Sequence, residues 1–199
     1  VYLSTSGGTR NKFQISHEIG HLLAAKRNQN NRTKTSGYGL TYQSNPEASK
    51  CADANDDYKH HFYSEEHVSS AANEGLAHFY AASIWNSPNG NGCDWYSYYD
   101  GSTISCETGY KYLINTCHGG KEPKIDSGNE LDWMRFWWDV HTDCGITFEP
   151  IMDIWDRSNP HKWKEKNVVR KLMRAARKRL NKKDYRCFKT EAINNGVKW

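Results

Sequence analysis

Ile15-Ser16-His17-Glu18-Ile19-Gly20-His21-Leu22-Leu23 is the stretch from which the rest of the chain is read. On a helix, residues four apart stack on one face, so the imidazoles of His17 and His21 can bind one zinc ion together. Glu18 sits about 100° round the helix from His17, near the open side of such an ion. A carboxylate placed there can take a proton from a zinc-activated water. The plainer alternative is a helix whose two histidines are ordinary surface or core residues. The flanking sequence favours the metal.

That flanking sequence reads as a helix. Thr9 and Asn11 offer caps after Gly7-Gly8. Ile15, Ile19, Leu22 and Leu23 fall at i, i+4, i+7 and i+8, an apolar face expected to point at the core. Ala24-Ala25-Lys26-Arg27 continues with good helix formers and ends on cations. Residues 28–36 are almost wholly polar and read as a loop.

A chain of 199 residues is expected to form one domain. Only 37% of it is hydrophobic, but 8 Trp, 12 Tyr and 6 Phe supply large surfaces for a core. No stretch is long and apolar enough for a transmembrane helix. The chain starts at Val1 with no signal-peptide pattern, and so reads as a mature or trimmed product. A formal net charge of +4 favours anionic surfaces only weakly. The six cysteines, Cys51, Cys93, Cys106, Cys117, Cys144 and Cys187, form no CxxC pair. Spread through polar segments, they suggest disulfides and hence secretion, against buried free thiols in a cytosolic protein. Cys93 and Cys106 flank a Gly/Tyr/Ser-rich loop and are the first candidates for a local bridge.

The expected fold class is mainly α (α+β). A short strand is expected over Val1 to Ser4, then the motif helix, a second helix from about Glu66 to Trp85, and a stop at Asn86-Ser87-Pro88-Asn89-Gly90. Helical patterns follow near 105–117, 128–142, 147–156 and 161–181. The zinc-site helices thus fall in 1–88 and a helical C-terminal part in 89–199, all within one catalytic domain. Asp53, Asn55, Asp56 and Asp57 form an oxygen-rich cluster of the kind that can hold Ca2+. It lacks the central Gly and terminal Glu of an EF-hand, so a solvated loop is the default.

A catalytic zinc takes three protein ligands and keeps one open position. A metzincin would place its third histidine at position 27, which is Arg27. A His2Glu site is the next option, with the glutamate on a neighbouring helix. Ala72-Asn73-Glu74-Gly75-Leu76-Ala77-His78 fits it. Glu74 lies among the small residues Ala71, Ala72, Gly75, Ala77, Ala81 and Ala82, which let two helices approach closely. His78, one turn on, is a competing ligand or a partner to one. His60, His61, Glu65, Glu66 and His67 are further competitors in more polar sequence.

With these residues in view, the chain resembles the gluzincins, zinc metallopeptidases of the thermolysin and zinc-aminopeptidase type. Their signature is HExxH followed by a glutamate within an NEGxA-like helix. The matching residues are His17, Glu18, His21 and Glu74, with Asn73, Gly75 and Ala77 completing the second motif. The resemblance covers roughly residues 10–85. It implies zinc bound by His17, His21 and Glu74, Glu18 as general base and then acid, and a protein or peptide substrate. The gap from His21 to Glu74 is 53 residues, longer than in the best-known members, so a segment containing Cys51 must loop out. No Gly-rich clamp for a substrate amino terminus precedes His17, which favours an endopeptidase. The family also implies a Tyr or His that stabilises the oxyanion. Candidates are His141, Tyr110 and Tyr112. His141 ends the aromatic-dense helix Leu131–Val140, where a histidine satisfied near a helix C-terminus is the plainer reading. Asp132 and Asp139 are expected to orient ligands or pair with Arg135.

Residues 161–183 are rich in Lys and Arg, while Val169, Leu172, Met173, Ala176 and Leu180 fall at helical spacing. Such a helix can dock on the domain and present its cations to polyanions, or simply keep them solvated. No nucleic-acid motif accompanies it, so nucleic acid is not expected as a partner. Two other readings stay open: an inactive binding or adhesion module on a peptidase-like fold, and a basic-helix protein with an incidental HExxH.

Overall fold

A computed structural model describes residues 12–27, 66–89, 93–96, 103–106, 127–128, 130–160 and 167–197. Among them the protein is mainly helical, with α1 Lys12–Arg27, α2 Val68–Trp85, α3 Glu130–Thr142, α4 Phe148–Ser158, α5 Val168–Arg179 and α6 Lys182–Asn194. Two small antiparallel ladders complete it. β1, Glu66–His67, pairs with β4, Ser127–Gly128, and β2, Asp94–Tyr96, pairs with β3, Thr103–Ser105. The helix expected over 105–117 does not begin at Ser105, which belongs to β3. Its remainder from 107 on, the strand expected at 1–4, the oxygen cluster at 53–57 and Cys51 and Cys117 lie outside the described residues.

α1 and α2 run antiparallel, as their contacts show from end to end. Near one end Trp85 Nε1 donates to Ser16 Oγ at 2.9 Å, while Lys12 Nζ lies 4.5 Å above the Trp85 ring. At the centre, a Cβ on Gly20 would lie 2.9 Å from Ala77 Cα and 3.1 Å from its carbonyl oxygen. Near the other end, His21 meets Asn73 and Glu74. The missing side chain of Gly20, inside the HExxH motif itself, therefore sets how closely the two helices approach.

α2 and α3 run in the same direction, both leaving the β1–β4 ladder. A Cβ on Gly75 would strike the Trp133 side chain, with the Glu130 carbonyl at 2.8 Å and Met134 N at 2.9 Å. The small residues of α2 are thus divided between two neighbours, Ala77 toward α1 and Gly75 toward α3. As the aromatic pattern of α3 led one to expect, Trp133, Phe136, Trp137 and Trp138 are all buried, and Phe136 and Trp137 pack on Phe188 of α6. Cys93 is bonded to Cys106 across the β2–β3 hairpin, the expected local bridge, and Cys144 to Cys187 ties the α3–α4 turn to α6.

Two further expectations need correction. Ile15, Ile19 and Leu22 do not face the core: they are 40–55% exposed, and α1 buries Ser16, His17, Gly20 and Ala24 instead. The face of α1 that carries His17 packs on α2, and a helix that small cannot bury both faces against the same partner. The helix expected over 161–181 ends, among its described residues, at Arg179 as α5, and α6, which was not expected, follows it. Asn181 Oδ1 accepts from the backbone N–H groups of Lys183 and Asp184 at 2.9 Å each, an N-cap that starts a new helix at Lys182. Val169, Leu172, Met173 and Ala176 of the expected apolar face are buried as read.

Gly75→Ala provides a test of the α2–α3 approach. On an exposed helix this change would stabilise by about 1 kcal/mol. Against Trp133 and the α3 backbone it should destabilise by about 1–3 kcal/mol, read as a lower urea midpoint. A stabilised variant would mean that the two helices lie further apart.

Candidate metal centre

α1 and α2 bring their polar side chains together at one point. His17 Nε2 and His21 Nε2 are 3.0 Å apart, and Glu74 Oε2 lies 3.1 Å from the first and 3.0 Å from the second. Three donor atoms in a nearly equilateral triangle are what one small divalent cation requires. Ligands 2.0–2.1 Å from an ion at tetrahedral angles sit about 3.3 Å from one another. The two histidines come from one helix face at i and i+4, and the glutamate from the antiparallel neighbour, as the sequence pattern suggested. His17 and Glu74 are buried, whereas the His21 side chain is 24% exposed, so the cluster opens toward solvent on the His21 side. Glu18, next along α1, is half-buried.

The electrostatics of the cluster suit a site for a cation. Burial, with His78 adding to it, holds His17 down at about 4, so its imidazole is neutral at pH 7. Burial works against a charged His21 as well, but the hydrogen bond and charge of Glu74, with Glu18, leave it above its ordinary value. Burial likewise opposes an ionised Glu74, yet the hydrogen bonds from His17 and His21 outweigh it and hold the carboxyl well below its usual range. A cation bound there would supply positive charge to the Glu74 carboxylate directly.

Asn73 tests whether the donor set suits a metal. Its Nδ2 is placed 3.2 Å from His21 Nδ1, and its Oδ1, also buried, has no hydrogen-bond partner among the described residues. Two nitrogens facing each other require Nδ1 to be the bare one, which puts the ring proton on Nε2, the atom that meets His17 and Glu74. Rotating the amide by 180° resolves both features, because Oδ1 then accepts from Nδ1–H and Nε2 keeps its lone pair. The orphaned oxygen and the metal-binding tautomer have one common solution.

His78 and Glu130 lie beside the triangle. His78 Nε2 is 3.0 Å from Glu130 Oε2, both are buried, and the His78 ring lies 4.0 Å from the ring of His17. Burial lowers His78, with Glu130 opposing the shift. Glu130 begins α3 and had no motif to mark it; only its position just before the apolar run of α3 could have suggested a buried carboxylate. Asp132 is buried and raised well above its ordinary value, with Arg135 opposing, and Asp139 accepts from Asn195 Nδ2 at 2.7 Å.

His141 is not brought to the triangle by any of its described contacts. Its Nδ1 donates to the Ile146 carbonyl at 2.9 Å, and its ring packs against Phe79 and Trp138. Position 141 is also 11 residues beyond Glu130, about 16 Å along the α3 axis at 1.5 Å per residue. Those bonds close the α3–α4 turn, the plainer reading of this histidine. Glu66 and His67 form β1, while Tyr110, Tyr112, His60, His61 and Glu65 lie outside the described residues. No protein-family model, curated protein or solved structure matches the chain, so the centre is interpreted from its own geometry.

If the triangle holds a divalent cation, Asn73→Ala should weaken its binding about 10–100-fold, whereas Asn73→Asp, which keeps an acceptor for Nδ1–H, should hold most of the affinity; competition for added zinc with a chromophoric chelator measures both. Equal loss in the two variants would reject the tautomer argument. The zinc-free protein should also lose stability as pH falls from about 6.5 to about 4. In that window the unfolded chain binds a proton on His17 that the fold refuses, so unfolding takes up protons. Thermal melts in chelator should show this slope, flattened in His17→Asn; a zinc-free protein equally stable at both ends would contradict it.

Proposed function

We propose that the protein is a secreted zinc metallopeptidase of gluzincin type that hydrolyses internal peptide bonds of a protein or peptide. The observation that carries this reading is the triangle of His17 Nε2, His21 Nε2 and Glu74 Oε2, built from two helices, with the half-buried Glu18 next to His17 on α1. Two imidazoles and one carboxylate are a borderline N/O set suited to zinc. Zinc held there would polarise a carbonyl and bring the pKa of a water toward neutrality. With three protein ligands, such an ion would keep a further position for water or substrate, and His21, 24% exposed, is the ligand nearest solvent. Glu18, one residue round the helix from His17, accepts the proton of the attacking water and returns it to the leaving amine. Asn73 holds His21 in the tautomer that this requires.

The resemblance of His17-Glu18-x-x-His21 and Asn73-Glu74-Gly75-x-Ala77 to the gluzincin signature supports the same conclusion. An intact base beside an intact ligand set favours an enzyme over an inactive module, since such a module has no use for Glu18. Secretion is supported by the two disulfides, which persist in oxidising surroundings, and no helix among the described residues is long and apolar enough to cross a membrane. A contact with polyanionic material is a subsidiary proposal. It is supported by a cavity of about 380 Å³ whose lining includes Arg157 of α4 and Lys171, Arg174 and Lys178 of α5.

Glu18→Gln is the decisive variant. Casein cleavage should fall by about 10²–10⁴-fold while bound zinc stays near one equivalent at the triad, because glutamine cannot take the proton and Glu18 is no ligand. Retained cleavage would remove Glu18 from its role, and no cleavage by the wild type would point to a binding module.

A further inference from the structure

α2 carries its own pair of ligand residues four apart, Glu74 and His78, and so presents both on one face. Glu130 at the start of α3 closes on that pair, and the ligand atoms of Glu74, His78 and Glu130 all lie within 4.8 Å of one another. We propose that these three residues form a second divalent-cation site, joined to the first through the Glu74 carboxylate. The proposal rests on the zinc reading of His17, His21 and Glu74, and adds to it a second ion.

Three observations support it. Exposure of Glu74, His78 and Glu130 is 3%, 1% and 0%, and positive charge bound among two carboxylates so deeply buried and so close together is favoured. The rings of His17 and His78 face each other, 4.0 Å apart and tilted by 39°. The imidazole of the second group is thus packed directly against one of the first, so that two ions held by them would be close neighbours, as in two-metal hydrolytic sites. Finally, a carboxylate has two oxygens: Oε2 of Glu74 belongs to the first triad, and its partner oxygen can serve the second. One imidazole and two carboxylates suit Zn2+ or Mn2+ rather than a soft, thiolate-seeking ion. An ordinary buried His–Glu pair accounts for the 3.0 Å contact of His78 with Glu130, but not for Glu74 and the His17 ring converging on it.

Metal counting on zinc-saturated, gel-filtered protein decides the matter. Two zinc per chain are expected in the wild type, and one in Glu130→Gln and in His78→Asn, each checked as folded by circular dichroism. Protein loaded with Mn2+ should give the EPR signal of an exchange-coupled pair, replaced in Glu130→Gln by that of an isolated ion. One zinc in the wild type, or two that persist in both variants, overturns the second site and leaves the first intact. No zinc in the wild type removes the reading beneath it. Should a variant fail to fold, the wild-type count and its EPR spectrum still decide between one ion and two.

Discussion

The contact on which everything else depends is the approach of Gly20 to Ala77. With a Cβ at position 20 only 2.9 Å from Ala77 Cα, the two helices could not lie as they do. Their separation is what lets short reaches from opposite sides, two imidazoles and one carboxylate, converge within 3.1 Å. A helix pair about one methyl group further apart would leave three solvated polar groups and no triangle. The glycine within the motif is therefore as necessary to the centre as the histidines on either side of it, though it touches no metal.

Converging these groups is costly in a buried place. The fold compensates locally, with Glu74 drawing on both histidines and in turn holding His21 above its ordinary value. It also compensates at a distance, because the surrounding shell is rigid. Trp133, Phe136, Trp137 and Trp138 make α3 a solid wall behind α2, and Cys144–Cys187 fastens the far end of α3 to α6. A cation site gains affinity from ligands that do not have to be ordered when the ion arrives. The exposed stripe of Ile15, Ile19 and Leu22 is the visible consequence of giving the buried face of α1 to polar residues.

Much of the centre is legible in the sequence because its parts are written in helical spacing. His17 and His21 share a face by arithmetic, and Glu74 stands out as a carboxylate among small residues. What cannot be read that way depends on three-dimensional partners. The pattern rule sends the apolar stripe of α1 inward, but the rule presumes that nothing else on the helix has to be buried. Glu130 is separated from His78 by 52 residues and belongs to no motif, so only the packing of α3 on Gly75 reveals it. α6 is hidden for a subtler reason: its start is marked chiefly by one capping asparagine, Asn181, whose preference is worth only about 1 kcal/mol. His141 stands out as a polar end to an aromatic helix, and its bond to Ile146 shows that such an end often serves its own turn.

Anomalous X-ray diffraction at the zinc edge, on crystals of the full chain grown with zinc, probes the central claim most directly. The account expects a strong peak about 2 Å from His17 Nε2, His21 Nε2 and a Glu74 oxygen, on the side shared with Glu18. A peak elsewhere, or a Glu74 carboxylate turned away from the ion, would contradict it.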